Sequence, residues 1–343
     1  MESERMKTIA GFLRVAIVVM IAMTASAQSK PPLKFLQDIP LPGIENGDFD
    51  HFAIDLAGNQ LFLTGEKQNS VFVMDTKTNK LIHTIKDVDE PHSMLFLPEA
   101  QQLWVVAGGD GTIRVFNSKT YAPIETIKST EGADSSAYDP AKHLFYVVAG
   151  GEDAKLDYSL VSIFDTTARK HVGDIKVDSK NIEALALEKN GPRIFANVRD
   201  HNLVGVLDRE KKTVLTTWTL KDLKGNTPII YDDANRRVFV AGRKPGLFEV
   251  LDADTGKIVA TLPATDMTDD MAFDRDSKRI YVVCGDFTTV YQQKDADHYE
   301  ELARIPTAFR AKTAILVPQL HRFYIAAPGH EKTVAAVKVY EVQ

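Results

Sequence analysis

Residues 61–85, LFLTGEKQNSVFVMDTKTNKLIHTI, contain a strand-like segment that ends in small residues, a polar loop, and a second strand-like segment that ends in Asp. Apolar residues that alternate with a period of two, bounded by turn residues, are typical of short β-strands. The same arrangement returns at residues 103–127, LWVVAGGDGTIRVFNSKTYAPIETI, and at residues 238–262, VFVAGRKPGLFEVLDADTGKIVATL. This unit is therefore a repeat.

Four weaker copies complete the set, beginning at Leu144, Ile194, Ile280 and Phe323. The seven starts are 42, 41, 50, 44, 42 and 43 residues apart. A period of this length is that of the four-stranded blades of β-propellers. The one long spacing has a local cause, an insertion around Glu152 to Tyr158.

A further alternating segment precedes each copy and is predicted to be the innermost strand of a blade. The seven segments are HFAIDL, HSMLFL, SSAYDP, EALALE, PIIYDD, DMAFDR and TAILVP. The sequence therefore predicts an all-β fold, a seven-bladed β-propeller of four-stranded antiparallel blades. The turn after the third strand repeatedly holds an Asx residue, for which we expect a structural role because the side chain can bond its own backbone. These residues are Asp75, Asn117, Asp165, Asp208 and Asp252.

The two ends of the chain are expected to meet in one blade. The seventh copy runs to Gln343, after its third strand, and the segment Leu33 to Leu41, LKFLQDIPL, resembles the outer strands of the other copies. A ring closed by this N-terminal strand in the last blade leaves no open sheet edge there. No linker or change of composition divides residues 28–343, so we expect a single propeller domain.

Composition excludes several classes of protein. The chain has 343 residues, of which 44% are hydrophobic and 26% charged, a formal net charge of −6 and one cysteine. Binding to nucleic acid through overall charge is not expected, because that needs clustered Lys and Arg. Cys284 cannot form an internal disulfide, and its apolar surroundings, YVVCG, indicate a buried small side chain.

The N-terminus has the three parts of a secretory signal peptide: basic residues up to Arg14, the apolar run Val15–Met23, and Ala25-Ser26-Ala27. We predict a signal peptide at residues 1–27, cleaved after Ala27. The alternative is an uncleaved anchor, but the apolar run falls short of the roughly 20 residues that cross a bilayer. A periplasmic or secreted protein is expected, monomeric and with no membrane span after cleavage.

The copies LFLTGEKQNSVFVMDTKTNKLIHTI and IYVVCGD resemble the YVTN-type β-propeller repeat of exported bacterial and archaeal proteins, the YncE-like group. The resemblance covers nearly the whole chain after the signal. It implies the propeller fold and says little about a reaction, since relatives include surface-layer proteins, lactonases and ligand-binding proteins.

A functional site is expected at the channel mouth. In a propeller the loops that enter the innermost strands and the loops between second and third strands lie on one face, and loops on a rigid scaffold commonly carry function. Alignment of the inner strands, uncertain by one residue, places seven residues there: His51, His92, Ser135, Glu183, Thr227, Asp270 and Lys312. The second set of loops adds Glu66, Lys67, Asp110, Arg199, Asp200, His201, Arg243, Lys244, Asp286 and His330. From these we select as candidate ligand-binding residues His51, His92, Glu183, Arg199, Asp270 and Lys312.

His51 and His92 lie at matching positions of neighbouring blades, 41 residues apart. With Glu183 or Asp270 across the channel they could hold a divalent metal, since two imidazoles and a carboxylate suit zinc, iron or copper. No close ligand spacing such as H-x-x-x-H supports this site, so no cofactor is predicted and the divalent metal is an alternative. Acids already paired with Lys312 and Arg199 would argue against it. The neighbouring acids Asp269 and Asp270 are expected on opposite faces of a strand.

Three functions follow from these patterns. The first is an exported, non-enzymatic propeller that binds a small molecule or a protein partner through its funnel face, with no catalytic residue assigned. The second is a metal-dependent hydrolase or lyase of the lactonase type with its site at the channel mouth. The third is a structural role at the cell surface through the blade edges. Motifs for nucleophilic hydrolysis, nucleotide, haem and dinucleotide binding are absent from the sequence.

Overall fold

A computed structural model describes residues 30–44 and 47–343 of the chain. The predicted signal peptide, residues 1–27, lies outside the described residues. In the described part the chain forms seven four-stranded antiparallel sheets arranged as a β-propeller. The predicted all-β, seven-bladed fold is confirmed.

Each blade follows the chain from its innermost to its outermost strand, except the last blade, whose outermost strand is the N-terminal one. Blade 1 contains β2 (Phe49–Asp55), β3 (Gln60–Gly65), β4 (Ser70–Asp75) and β5 (Lys80–Lys86). Blade 2 contains β6 (Pro91–Leu97), β7 (Gln102–Ala107), β8 (Thr112–Asn117) and β9 (Pro123–Lys128). Blade 3 contains β10 (Ser136–Asp139), β11 (Leu144–Gly150), β12 (Ser159–Asp165) and β13 (Lys170–Val177). Blade 4 contains β14 (Ile182–Leu187), β15 (Arg193–Val198), β16 (Leu203–Asp208) and β17 (Thr213–Thr219).

The remaining blades have the same order. Blade 5 contains β18 (Asn226–Asp232), β19 (Arg237–Arg243), β20 (Gly246–Asp252) and β21 (Ile258–Pro263). Blade 6 contains β22 (Asp270–Asp274), β23 (Arg279–Val283), β24 (Phe287–Gln293) and β25 (Tyr299–Pro306). Blade 7 contains β26 (Thr313–Val317), β27 (Arg322–Ala327), β28 (Ala336–Val342) and β1 (Leu33–Pro40). Two short 3₁₀ helices, Glu66–Gln68 and Pro318–Leu320, complete the described elements, and none of these helices has the length and apolarity to cross a membrane.

The burial of the strands follows their position in the blade. The second and third strands of blade 1, β3 and β4, are buried along almost their whole length, whereas the outer strand β5 is mostly exposed. Middle strands are covered by neighbouring sheets on both faces, and such strands are apolar without alternation. The strong repeat copies in the sequence begin with these two middle strands and continue into the outer strand.

Apolar side chains fill the interfaces between adjacent blades. Seven buried clusters in the described residues each join two neighbouring sheets, so the core is a ring of interfaces. Leu63 of blade 1, for example, belongs to the same cluster as Tyr324 and Val337 of blade 7. Each fully buried apolar side chain of this size stabilises the fold by roughly 1.5–3 kcal/mol.

The first strand is the outer strand of the last blade. β1 pairs antiparallel with β28, with Leu33 opposite Val342 and Pro40 opposite Ala336. Beyond the ladder, the Gln343 amide donates to the Pro32 carbonyl over 3.0 Å. The two ends of the described chain therefore lie side by side.

The predicted structural role of the Asx residues is confirmed. The Asp75 side chain accepts hydrogen bonds from the amides of Lys77 and Thr78, over 3.1 and 2.6 Å. The other four blades with this residue show the same pair of bonds, at Asn117, Asp165, Asp208 and Asp252. Cys284 is fully buried as predicted, and burial raises the pKa of its thiol.

Candidate functional site

Strand ends and loops of five blades border a cavity of about 190 Å³ at the channel mouth. Its polar lining contains five of the seven residues that the strand alignment predicts there: His51, Ser135, Glu183, Thr227 and Asp270. The rest of the lining consists of Asp134, Ala184, Pro228, Ile229, Arg243, Asp269 and Met271. The scaffold therefore gathers these positions around one space.

The other two aligned residues border neighbouring cavities. His92 lies at a cavity of about 100 Å³ between blades 2 and 3, which Asp134 also borders. Lys312 lies at a cavity of about 250 Å³ at blades 5 to 7, which shares Arg243 and Asp269 with the central one. The three spaces thus adjoin through shared side chains.

The two histidines meet at a pair of aspartates. His92 Nδ1 lies 2.8 Å from Asp50 Oδ2 and 3.6 Å from Asp134 Oδ1. His51 Nε2 lies 3.7 Å from the same oxygen of Asp50. We call the group Asp50, His51, His92 and Asp134 the histidine side of the funnel.

The ionisation of this group is strongly perturbed. Burial raises the pKa of Asp50, but the nearby His51 and His92 outweigh burial and hold it well below its usual range. Burial lowers the pKa of His92, but its hydrogen bond to Asp50 and the charge of Asp134 raise it to about 10. Burial and the charge of Asp50 raise the pKa of Asp134 to about 7. His92 is therefore an imidazolium at neutral pH, held between two carboxyl groups.

His92 has a close backbone neighbour that fixes its ring. Gly108 lies so near the ring that a Cβ atom at this position would be 2.7 Å from His92 Cδ2 and 2.7 Å from the Ala133 carbonyl oxygen. Only glycine fits there without displacing the imidazole. The sequence signal is the Gly-Gly that ends the second strand of blade 2.

Sequence reasoning missed Asp50 and Asp134. Each directly precedes an aligned position, His51 in blade 1 and Ser135 in blade 3. The one-residue uncertainty of the alignment covers both of them. The signal in the sequence is an acidic residue directly before the aligned position.

The other acids at the centre already have protein partners. Glu183 forms an ion pair with Arg199. Asp270 accepts the amide hydrogens of Met271 and Ala314, over 2.7 and 3.0 Å, and burial raises its pKa. The structure does not bring His51, His92, Glu183 and Asp270 together as one ligand set; the acids that join the histidines are Asp50 and Asp134.

Blades 5 to 7 carry an opposite arrangement, which we call the arginine side: Arg243, Asp269, Arg310 and Lys312. Asp269 forms ion pairs with Arg243 and with Lys312, the latter over 2.9 Å. Burial and the charge of Arg199 lower the pKa of Arg243. One carboxylate is thus shared by two cations.

Asp269 and Asp270 both border the central cavity, and the expectation that they lie on opposite faces of a strand does not apply to this pair. β22 begins only at Asp270, and Asp269 belongs to the preceding loop, where strand alternation does not apply. The two acids nevertheless have separate partners.

Apolar groups line the outer part of the arginine side. Met267 and Phe309 border the 250 Å³ cavity and are 55% and 47% exposed. Phe309 stacks on His330, with ring centroids 3.9 Å apart. Exposed apolar surface that is bordered by polar residues is a feature of binding sites.

No protein-family model matches the chain, and no curated protein matches it. Among solved structures it is similar to a chain of the Kuenenia stuttgartiensis hydrazine synthase, with a TM-score of 0.74 and 16% identity, covering 88% of this chain and 97% of that one. It is also similar to a chain of a mitotic checkpoint complex, with a TM-score of 0.74 and 15% identity, covering 100% of this chain and 99% of that one. At this identity the likeness shows the β-propeller fold alone, and membership of the YVTN-type group stays a prediction.

Proposed function

We propose that this chain is an exported, non-enzymatic binding protein whose funnel face holds a small organic anion with an apolar body. The observation that carries the proposal is the 250 Å³ cavity of the arginine side, which combines cations with exposed apolar walls. Ligand sites are typically concave, apolar over most of their lining, and equipped with a few polar groups that fix orientation.

The charges at this cavity favour a monoanion. Arg243, Arg310 and Lys312 line it together with two acids, Asp269 and Asp286. Asp269 is shared by Arg243 and Lys312. Asp286 accepts the backbone amide of Arg310, and within residues 30–44 and 47–343 the Arg310 guanidinium forms no ion pair. A carboxylate is the natural partner of such a group.

The apolar walls favour a ligand with a flat body. Phe309, stacked on His330, presents a broad aromatic surface beside Arg310, and Met267 borders the same space. Methionine adapts to the shape of what it contacts, and aromatic rings stack on flat groups. An aromatic carboxylate combines both requirements.

Binding rather than catalysis is proposed because the central acids are already engaged. Glu183 is paired with Arg199, and Asp270 accepts two backbone amides. A general acid or base needs a proton-transfer partner in the substrate within hydrogen-bond reach. These contacts argue against the hydrolase or lyase in which Glu183 and Asp270 act with the histidines.

The binding test compares benzoate with its neutral analogue benzamide by thermal unfolding of the exported protein. Benzoate should raise the melting temperature in proportion to the logarithm of its concentration above Kd, because a ligand at 100 times its Kd stabilises by about 2.7 kcal/mol. The shift should be lost in Arg310→Gln and Phe309→Ala. The matched control is Arg304→Gln, which removes an exposed arginine of the outer strand β25.

An equal shift with benzamide, no shift with benzoate, or a shift that persists in Arg310→Gln would contradict the proposed ligand class. Export is tested separately, by the mass of the protein recovered from the periplasm. The proposal expects a chain that begins at Gln28. A full-length chain retained in the cytoplasm would contradict export and leave the binding result untouched.

A further inference from the structure

We propose that Asp50, His51 and Asp134 bind one divalent transition-metal ion on the histidine side of the funnel. This site is distinct from the cavity of the arginine side. The inference therefore does not rest on the proposed binding of an organic anion.

Three ligand atoms converge at this point. One carboxylate oxygen of Asp50, one imidazole nitrogen of His51 and one carboxylate oxygen of Asp134 all lie within 4.8 Å of one another. In tetrahedral coordination, metal bonds of about 2.0–2.1 Å place ligand atoms about 3.3 Å apart. The 3.7 Å between His51 Nε2 and Asp50 Oδ2 is already close to that value.

Two of the three ligands are not occupied by other contacts. In the described part of the chain, the side chains of His51 and Asp134 form no hydrogen bond; their nearest charged neighbours lie at 3.7 and 3.6 Å. Both side chains are about one-third exposed, 35% and 39%, and both border the central cavity. Unused polar groups that point into a common space are suited to coordinate an ion.

The neighbouring residues hold this arrangement in place. His92 Nδ1 contacts both carboxylates, over 2.8 and 3.6 Å, so one imidazole orients Asp50 and Asp134. The Thr64 hydroxyl accepts the amide hydrogen of His51 and donates to its carbonyl, over 2.9 and 3.2 Å. Partners that orient the ligands are a regular part of metal sites. His92 is here a positioning residue, not a ligand.

The ligand set indicates the class of ion. One imidazole and two carboxylates suit divalent ions such as Zn²⁺ or Mn²⁺, which take nitrogen and oxygen ligands of this kind. Three protein ligands leave at least one coordination position open. The central cavity, bordered by His51 and Asp134, is the space that this position faces, and Arg243 borders the same cavity.

The test uses the full exported chain, purified without a histidine tag and stripped with EDTA. Calorimetric titration with Zn²⁺ should give one ion per chain. His51→Ala and Asp134→Asn should each weaken binding at least 10-fold, and His92→Gln should weaken it by roughly 10-fold through the loss of orientation. His201→Ala, which removes a 53% exposed histidine of another loop, is the matched control and should bind as the wild type does.

A second measurement separates coordination from a general effect on stability. Co²⁺ bound in the same site should give a visible absorption band that is absent in His51→Ala and shifted in His92→Gln, while circular dichroism shows the variants folded. Absence of stoichiometric Zn²⁺ binding would overturn the site. So would binding unchanged in His51→Ala, or Ca²⁺ binding tighter than Zn²⁺. Benzoate binding to the EDTA-stripped chain reports on the proposed function independently.

Discussion

The histidine side and the arginine side lie at the same end of the innermost strands but leave opposite charges available. On the histidine side one carboxylate, Asp50, contacts two imidazoles, and Asp134 is left without a hydrogen bond among the described residues. On the arginine side one carboxylate, Asp269, is shared by Arg243 and Lys312, and Arg310 is left over. The fold fixes where side chains gather, and single residues decide which charge remains for a ligand.

The largest expected effect on stability comes from removing a carboxylate beside arginine and lysine, which keep their charge. Removing a carboxylate beside histidine should have less effect. Asp269→Ala should lower the free energy of unfolding by about 3 kcal/mol at pH 8, because partly buried Arg243 loses its ion pair and Lys312 keeps only a longer contact with Asp48, over 3.9 Å. Asp50→Ala should cost less, since an imidazole that loses its partner can release its proton. Urea denaturation measures both, with the exposed Asp276→Ala as control. A greater loss for Asp50→Ala would contradict this comparison.

The next largest effect is expected at a carboxyl group outside the funnel that is buried without a hydrogen-bond partner. Glu249 is fully buried on β20, neither of its carboxylate oxygens has a hydrogen-bond partner, and burial raises its pKa to about 7. A carboxyl whose pKa is raised on folding destabilises the protein increasingly as the pH rises from its unfolded value toward the folded one. Glu249→Gln should therefore change stability little at pH 4 and raise it by about 2–3 kcal/mol at pH 8.

Urea titrations of wild type and Glu249→Gln across this pH range check the sign. A benefit that is equal at pH 4 and pH 8 would show that the carboxylate charge is not the cause. Glu301→Gln, at an exposed acid of the outer strand β25, serves as control.

The histidine side should show a different pH window. The folded pKa of His92, raised to about 10, means that its ion pair stabilises the protein fully below pH 6.5 and that this contribution is lost as the pH rises toward 10. His92→Gln should cost about 2 kcal/mol at pH 6, as expected for a hydrogen bond between charged groups, and nearly nothing at pH 10.

Arg199→Gln, which breaks the pair with Glu183, is the matched comparison. Because a guanidinium keeps its charge over this range, its cost should be similar at pH 6 and pH 10. Chemical denaturation at both pH values measures the difference. A cost for His92→Gln that is constant with pH would contradict the imidazolium assignment.

The smallest effect is expected at the Asx turns. Asp75 in blade 1 and Asp252 in blade 5 each accept two amide hydrogens in equivalent turns, and Asp252 also pairs with Arg237 over 2.9 Å. Asp75→Ala should lower stability by less than about 1 kcal/mol, because its turn is exposed. Asp252→Ala should cost more, because it also removes one of the two carboxylates that pair with the largely buried Arg237. Equal losses, read from urea midpoints, would contradict this difference.

The fold was predictable from sequence because its determinants are local. Short strand-like segments recur in all seven repeats and the Asx turn in five of them, and the spacing of the repeats gives the number of blades. The repeats also indicated the strand positions of His51 and Lys312 at the channel mouth. To predict these positions, one needs only the register of residues along a single strand.

The partners of the site residues could not be predicted in the same way. The contact of His92 with Asp50 joins residues 42 positions apart in different blades, and Arg243 reaches Asp269 across another interface. Such pairs depend on side-chain directions where loops meet, and a one-residue shift changes them. Asp269 illustrates this sensitivity, since it lies one residue before β22, where the alternation of strand faces does not apply.

The pairing of β1 with β28 brings Pro32 and Gln343 together in one blade. Because the Pro32 carbonyl and the Gln343 amide are already hydrogen bonded, a short peptide would join these two residues covalently with little change in the path of the backbone. The chain could then be opened in the insertion between β11 and β12, at an exposed loop, as in circularly permuted proteins. In such a permuted chain, the ribosome would synthesise the blades in a different order, while their order around the ring would stay the same.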